Sequence, residues 1–302
     1  MKSVLWAMGL VWVLARAASG ATELAVTVDD LPAHGLLPRT MQRVAIAQHM
    51  ISVLKRHAVP EVYGFVNGGQ IRDHPERADI VKIWLQAGFR VGNHTFSHLD
   101  INRVTAAEYI TDIERNEAVL AELAGPRWPR VFRYPYLHQG ESREKREAVR
   151  RWLTAHGYTI AQVTVSFDDW AWNNAYARCV ERSDDGSIEW LKRSFLEAAV
   201  SHLEWSRTVS HAAFGRQIRH ILLLHVGGFV AEMLDDLLDA YGKAGVKMIA
   251  LDRAMADPVY QLQADRTWQG ESTFLLTVAL AGGVSIPTVP EIPLEKLDAL
   301  CP

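Results

Sequence analysis

Seven short segments rich in Val, Ile and aromatic residues alternate with longer segments of helical apolar spacing, and this alternation leaves the chain few architectures. The short segments are ELAVTVDD, EVYGFVNG, FRVGNHT, RVFRYPYL, YTIAQVTVSF, HILLLHVGG and VKMIALD, bounded by Gly, Pro or Asp. Between them, TMQRVAIAQHMISVLKRH, PERADIVKIWLQAG, TAAEYITDIERNEAVLAELAG, REKREAVRRWLTAHG, IEWLKRSFLEAAVSHLEWSRTV and VAEMLDDLLDAYGKAG place apolar residues at helical intervals. Several begin with Pro, Ser or Thr and finish with Gly, as helix ends prefer. Strand followed by helix, repeated, implies parallel strands joined by right-handed crossovers. The expected fold is therefore α/β, either an open doubly wound sheet or a barrel. In both, function gathers at the carboxyl ends of the strands.

At 302 residues, 49% hydrophobic and 22% charged, the chain can bury a large core as one barrel-sized domain or as two smaller ones. Its formal net charge is −3, and the first twenty residues hold Lys2 and Arg16 but no acid, so the remainder is more negative still. That balance argues against a nucleic-acid partner. The same twenty residues read as an export signal: Lys2 is a minimal positive start, VLWAMGLVWVLA an apolar run, and RAASGA a small-residue cleavage region. The alternative is a short retained anchor, although the run falls below the roughly 20 apolar residues of a full span. Cleavage after Gly20 or Ala21 would leave a secreted or periplasmic protein with no stable membrane insertion. Cys179 and Cys301 are the two cysteines; in an oxidising compartment they either pair or stay as small hydrophobes.

Polar residues mark five strand ends. Strand one ends in Asp29 and Asp30, strand three in His94 and His98, strand four in Arg133; strand five runs into Asp168 and Asp169, and strand six ends in His225. One such residue is uninformative, because a lone strand-end His or Asp usually satisfies a loop. Five ends converging on one rim point to a site. Adjacent strand residues face opposite sides, so Asp29 and Asp30 share a site only where the strand gives way to a loop.

These residues resemble those of the polysaccharide deacetylases, the NodB homology or carbohydrate esterase family four group. The family's five ordered motifs match TVDD, HTFSH, RYPY, FDDW and LLH, over roughly residues 24 to 255. The resemblance implies a distorted (β/α)7 barrel of parallel strands, with a catalytic domain over 21–256, a helical insertion at 171–219 and a C-terminal extension at 257–302. The insertion is either a cap beside the groove or a second packing helix.

The resemblance also implies roles. Asp30, His94 and His98 would hold a divalent metal, a mixed oxygen and nitrogen set suited to zinc. Asp29 would be the general base, held by Arg133 through a charge-assisted pair; that cation is expected to lower the Asp29 pKa. His225 would be the general acid, with Asp169 on its far ring nitrogen raising its pKa and Asp168 as runner-up for that place. The fourth motif commonly has a further Asp where this chain has Ser166. The Tyr136 backbone N–H would donate to the oxyanion. Trp170 would stack on sugar and Leu223 line an acetyl pocket, although either fits plain core.

The implied reaction removes N-acetyl groups from an N-acetylhexosamine glycan, such as peptidoglycan, a chitin-like chain or an exopolysaccharide. An O-acetyl esterase would use the same machinery. A catalytically silent carbohydrate-binding protein would keep the fold but lack part of the set, and no member is missing here.

Overall fold

The computed structural model describes residues 21–262 and 272–302. The expected export signal at 1–20 lies outside the described residues, as do residues 263–271 of the extension. Strands and helices alternate in the order β1 (Thr22–Leu31), α1 (Arg43–Arg56), β2 (Tyr63–Val66), α2 (Gly69–Asp73), α3 (Ala78–Gln86), β3 (Arg90–Asn93), α4 (Ala106–Ala124), β4 (Val131–Phe132), α5 (Arg143–Ala155) and β5 (Thr159–Ile160). There follow α6 (Ala171–Glu181), α7 (Asp185–Phe214), β6 (His220–His225), α8 (Gly228–Lys243), β7 (Val246–Met248), α9 (Leu251–Met255), α10 (Phe274–Ala281) and α11 (Leu294–Ala299).

The sheet runs β5-β4-β3-β2-β1-β6, with β7 beside the first residues of β1, and every pairing is parallel. It curls until the chain just beyond β5 reaches β6, where Val165 bridges Leu222. This is the distorted seven-stranded β/α barrel that the alternation and the resemblance lead one to expect.

Side-chain alternation divides the strands into two faces. Leu24, Val26 and Val28 of β1, Val66, Val91, Phe132, Leu222 and Leu224 turn outward into the main core under the helices. Ala25, Tyr63, Phe65, Val131, Ala161 and Ile221 turn inward, where Ile249, Leu251 and Ala254 plug the amino-terminal end. Gly92 is required here: a Cβ would stand 2.5 Å from the Phe65 ring, so only glycine lets that ring lie across β3. Continuing the inward register places Thr27, Asp29, Arg133, Leu223 and His225 at the carboxyl end, where apolar filling stops. Local signals support the frame. Thr105 and Glu108 cap α4 reciprocally, as the TAAE start anticipates.

Residues 171–219 form α6, α7 and the approach to β6. Leu191, Phe195, Ala199 and Leu203 of α7 enter the main core, whereas Trp205 and Val209 join a separate cluster with Phe274, Leu275 and Ala279 of the extension. One long helix therefore packs on the barrel and carries the extension. Among the described residues, no helix is long and apolar enough to cross a membrane.

Cys179 and Cys301 are disulfide-linked across a sequence separation of 122. Beside the bond, Arg178 donates to the carbonyls of Leu297 at 2.8 Å and Leu300 at 2.9 Å, so contacts other than the bond also hold the extension. The disulfide then acts mainly on the unfolded chain. Cys301→Ser should lower unfolding free energy by about 2–5 kcal/mol, read from urea midpoints without reductant. A loss below about 1 kcal/mol would show that the bond restrains little.

Candidate active site

The expectation that β1 must become a loop before its two carboxylates can meet is corrected by the structure. The strand continues to Leu31, but its register with β2 shifts between Val28 and Leu31, and Asp30 adopts a left-handed backbone with φ 63°. Such a bulge re-aims one side chain relative to its neighbour, so both carboxylates reach the same cavity. The two histidines are joined by a tight loop in which Thr95 and His98 also take positive φ, 60° and 53°. The loop is anchored where Asn67 donates to the His94 carbonyl at 2.6 Å. Tyr136, Leu137 and Asp168 add further left-handed residues at the same rim, a clustering of strain typical of functional sites.

Asp30, His94 and His98 each offer a ligand atom, all within 4.8 Å of one another. Asp30 Oδ1 lies 3.3 Å from His98 Nε2 and 3.6 Å from His94 Nε2. Tetrahedral ligands about 2.1 Å from a zinc ion stand roughly 3.4 Å apart, so these spacings fit. Oδ1 is buried with no hydrogen-bond partner, whereas Oδ2 accepts from His34 Nδ1 at 2.7 Å. His94 Nδ1 donates to the Arg133 carbonyl at 2.9 Å, leaving Nε2 as a lone pair aimed inward. Burial pushes both His94 and His98 down to about 4, which keeps them neutral. Burial opposes ionisation of Asp30, but the His34 hydrogen bond, and the charge His98 acquires only at the low pH where Asp30 titrates, outweigh it and hold the carboxyl well below its ordinary range. A buried anion with an orphaned oxygen facing two neutral imidazoles fits a divalent cation.

Asp29 is engaged differently. Both of its oxygens accept from Arg133 Nη1 at 3.2 Å. Each nitrogen of that guanidinium has a partner: Nε donates to the Ala161 carbonyl at 2.7 Å, Nη2 donates to Thr27 Oγ1 at 3.0 Å, and its carbon lies 4.6 Å from the Phe65 ring centroid. Burial raises the Asp29 pKa and Arg133 lowers it; the net result is a rise to about 6. The expected lowering by Arg133 therefore operates but loses to desolvation, because the carboxylate is only 2% exposed.

The structure puts Asp169, not Asp168, on His225. Asp169 Oδ1 pairs with His225 Nδ1 at 2.8 Å and Oδ2 accepts the His225 backbone N–H at 2.7 Å. Burial lowers the His225 pKa, but the Asp169 charge and hydrogen bond prevail and raise it to about 9.

Asp29, Asp30, His34, His94, His98 and His225 line one cavity of about 480 Å³, with Arg133 and Asp169 behind Asp29 and His225. Tyr136, Trp170, Leu223 and Ser166 line it too. Tyr136 stands edge-on to His98, with centroids 4.5 Å apart. Leu223 is 6% exposed and Trp170 only partly buried.

Sequence reasoning missed three contributors. His34 holds Asp30, and its ring lies 4.8 Å from that of His225 at a tilt of 44°; its position four residues after Asp30 in DDLPAH was the available signal. His202, Trp205 and Ser206 come from α7, and Ser272, Thr273, Leu276 and Val289 from the extension. No spacing rule reaches that far along a chain.

Residues 17–161 match the family model described as Polysaccharide deacetylase. Over 148 residues the chain is 32% identical to a peptidoglycan-N-acetylglucosamine deacetylase of Bacillus cereus, covering 49% of this chain and 46% of that one. The chain thus spans between 28% and 51% of the length of the curated relatives it matches. The solved chitin deacetylase of the fungus Colletotrichum lindemuthianum superposes with a TM-score of 0.54 at 20% identity, over 79% of this chain and 89% of that one. A carbohydrate esterase family four pseudoenzyme of Bacillus anthracis superposes with a TM-score of 0.53 at 15% identity, over 78% of this chain and 66% of that one. The family match ends before Asp169 and His225, yet the barrel brings both to the rim that the matched segment builds. The motifs TVDD, HTFSH and RYPY meet at that rim within residues 17–161, the segment that is similar to the polysaccharide deacetylase family.

Proposed function

We propose that this protein hydrolyses N-acetyl groups on an N-acetylhexosamine glycan, releasing acetate and leaving a free amine. One observation carries the reading: in a single cavity, a carboxylate clamped by a buried arginine and an imidazole oriented by a buried carboxylate flank a three-residue metal-ligand set. The activities of its relatives, deacetylases of peptidoglycan and of chitin, agree with it.

Asp30, His94 and His98 would hold the cation, and their oxygen and nitrogen atoms suit zinc. When bound, such an ion polarises a carbonyl oxygen and acidifies water. Asp29, kept in place by Arg133, takes the proton from the attacking water. The C–N bond then breaks, and the leaving nitrogen receives a proton from His225 Nε2, since Nδ1 is committed to Asp169. The Tyr136 backbone N–H serves the developing oxyanion, Leu223 meets the acetyl methyl and Trp170 the sugar face. Export is proposed as well, on the strength of the amino-terminal segment and a disulfide that suits an oxidising compartment.

The test is acetate release from peptidoglycan, chitin oligomers and acetylated xylan. Release from the N-acetylated glycans is expected; activity on xylan alone would make the protein an O-acetyl esterase.

The His225–Asp169 pair sets the alkaline limb. Activity needs His225 protonated, so it is lost as pH rises through about 9. Asp169→Asn removes the group that raises this pKa, so the limb should move to lower pH by more than one unit while the acid limb stays in place. Asp168→Asn should move it much less. A limb indifferent to Asp169→Asn would remove His225 as the acid.

A further inference from the structure

One part of the cavity wall comes from α7 and from the chain just past β5, not from the strand ends that carry Asp29, His94 and His225, and, apart from the Ser166 hydroxyl, its polar groups are acceptors. The Asp168 carboxylate lines the cavity and has no hydrogen-bond or ion-pair partner among the described residues. Burial, and then the neighbouring Asp169 charge, raise its pKa, the mark of a carboxylate lacking a donor. His202 Nδ1 donates to the Ala198 carbonyl at 2.9 Å, and burial lowers the pKa of the ring, so Nε2 is left as an acceptor. Ser206 gives its proton to the Thr164 carbonyl at 3.0 Å, which leaves its lone pairs. Trp205 spends its N–H on the Pro287 carbonyl at 3.0 Å and offers the cavity an apolar ring, and Trp170 lines the same cavity. The wall thus combines three acceptors with two indoles. A hexose ring is the complement: an apolar C–H face that stacks on indole and a rim of O–H donors.

We propose that Asp168, His202 and Ser206, with Trp205, form an acceptor subsite, beyond the Trp170 face, for the hydroxyls of the sugar ring next to the one that loses its acetyl group. The subsite rests on the glycan-deacetylase reading, and it makes the neighbouring ring a determinant of which glycan is used. A free amine on that ring is a second source of the same donor chemistry.

The test is steady-state kinetics of the metal-loaded full chain on N-acetylglucosamine oligomers from monomer to pentamer. Asp168→Asn and Trp205→Ala should each raise KM for the oligomers about tenfold, the scale of one hydrogen bond to a charged group or one lost stacking face. Turnover should stay within about threefold, KM for the monomer should barely move, and Asp168→Glu should recover part of the loss. Folding of each variant is checked by its thermal midpoint. Glucosamine oligomers competing more strongly than acetylated ones, in a salt-sensitive way, would identify the amine as donor; salt-insensitive competition would identify hydroxyls. Unchanged oligomer KM in both variants, with acetate still released, would overturn the subsite and leave the deacetylase reading intact. If the wild type released no acetate from any glycan, that reading would fall, and calorimetric titration with the pentamer would decide the subsite. Binding weakened about tenfold by Asp168→Asn would sustain it; no binding by the wild type would overturn it.

Discussion

Replacing His94 and His98 together by alanine should leave the protein without bound metal and lower acetate release to the level of the buffer. The wild type is expected to carry about one divalent ion per chain, because Asp30, His94 and His98 are the one set of three ligand atoms within bonding reach of a common ion among the described residues. Both imidazoles are held neutral by burial, so no proton must leave them before a cation binds at neutral pH. The double variant retains one carboxylate oxygen, far short of a binding site. Because bound metal stabilises only the folded state, adding zinc should raise the thermal midpoint of chelator-treated wild type and leave that of the variant where it is. Metal content by mass spectrometry is the deciding measurement. An unchanged content in the variant would overturn the ligand assignment whatever the activity.

How much of this was legible in the sequence differs between fold and site. The strands could be found because each is short, β-branched and bracketed by turn residues, and parallel pairing followed from helices long enough to cross the sheet. Curling of the sheet was implied by the resemblance, whereas the alternation alone left an open sheet equally possible. The curl depends on Gly92 admitting the Phe65 ring and on the backbone bonds joining Thr164 and Val165 to Ile221, contacts between segments tens of residues apart.

At the site, residue types at strand ends were visible because alternation and chain order alone bring them to one rim. Their division of labour came from the family resemblance alone, because residue types and spacing do not separate neighbouring aspartates. Asp29 and Asp30 are adjacent and chemically identical, and what separates them is a bulge and a positive φ at Asp30. Likewise FDDW offers two aspartates, and only the double contact of Asp169 with the ring and backbone of His225 distinguishes them. The cavity wall from α7 and the extension was invisible for a further reason. Trp205 and Leu276 look like ordinary core residues, and both do pack in a core; lining a cavity is an additional consequence of where that small core sits.

Asp29→Asn should keep the metal and lower turnover by a factor on the order of 10² to 10⁴, the usual contribution of a positioned general base. The amide has the shape of the carboxylate and still accepts one hydrogen bond from Arg133, so the cavity wall survives. What is lost is the basic lone pair that accepts the proton from water. The substitution also leaves the Arg133 guanidinium, 1% exposed, without its counter-charge, and stability should fall by up to about 3–5 kcal/mol as for other buried pairs broken on one side. Kinetics are therefore best measured well below the unfolding midpoint. The pH profile gives a second reading. Wild-type activity requires ionised Asp29 and is lost as pH falls through its pKa, which burial raises to about 6 and a cation on Asp30 would pull lower. An amide does not titrate, so the acid limb due to Asp29 should vanish along with most of the rate. Asp30→Asn should behave in the opposite manner, because Oδ1 of Asp30 is the orphaned oxygen facing both imidazoles: metal should be lost, and turnover with it. If instead Asp29→Asn released the metal and Asp30→Asn retained it, base and ligand would have to be exchanged.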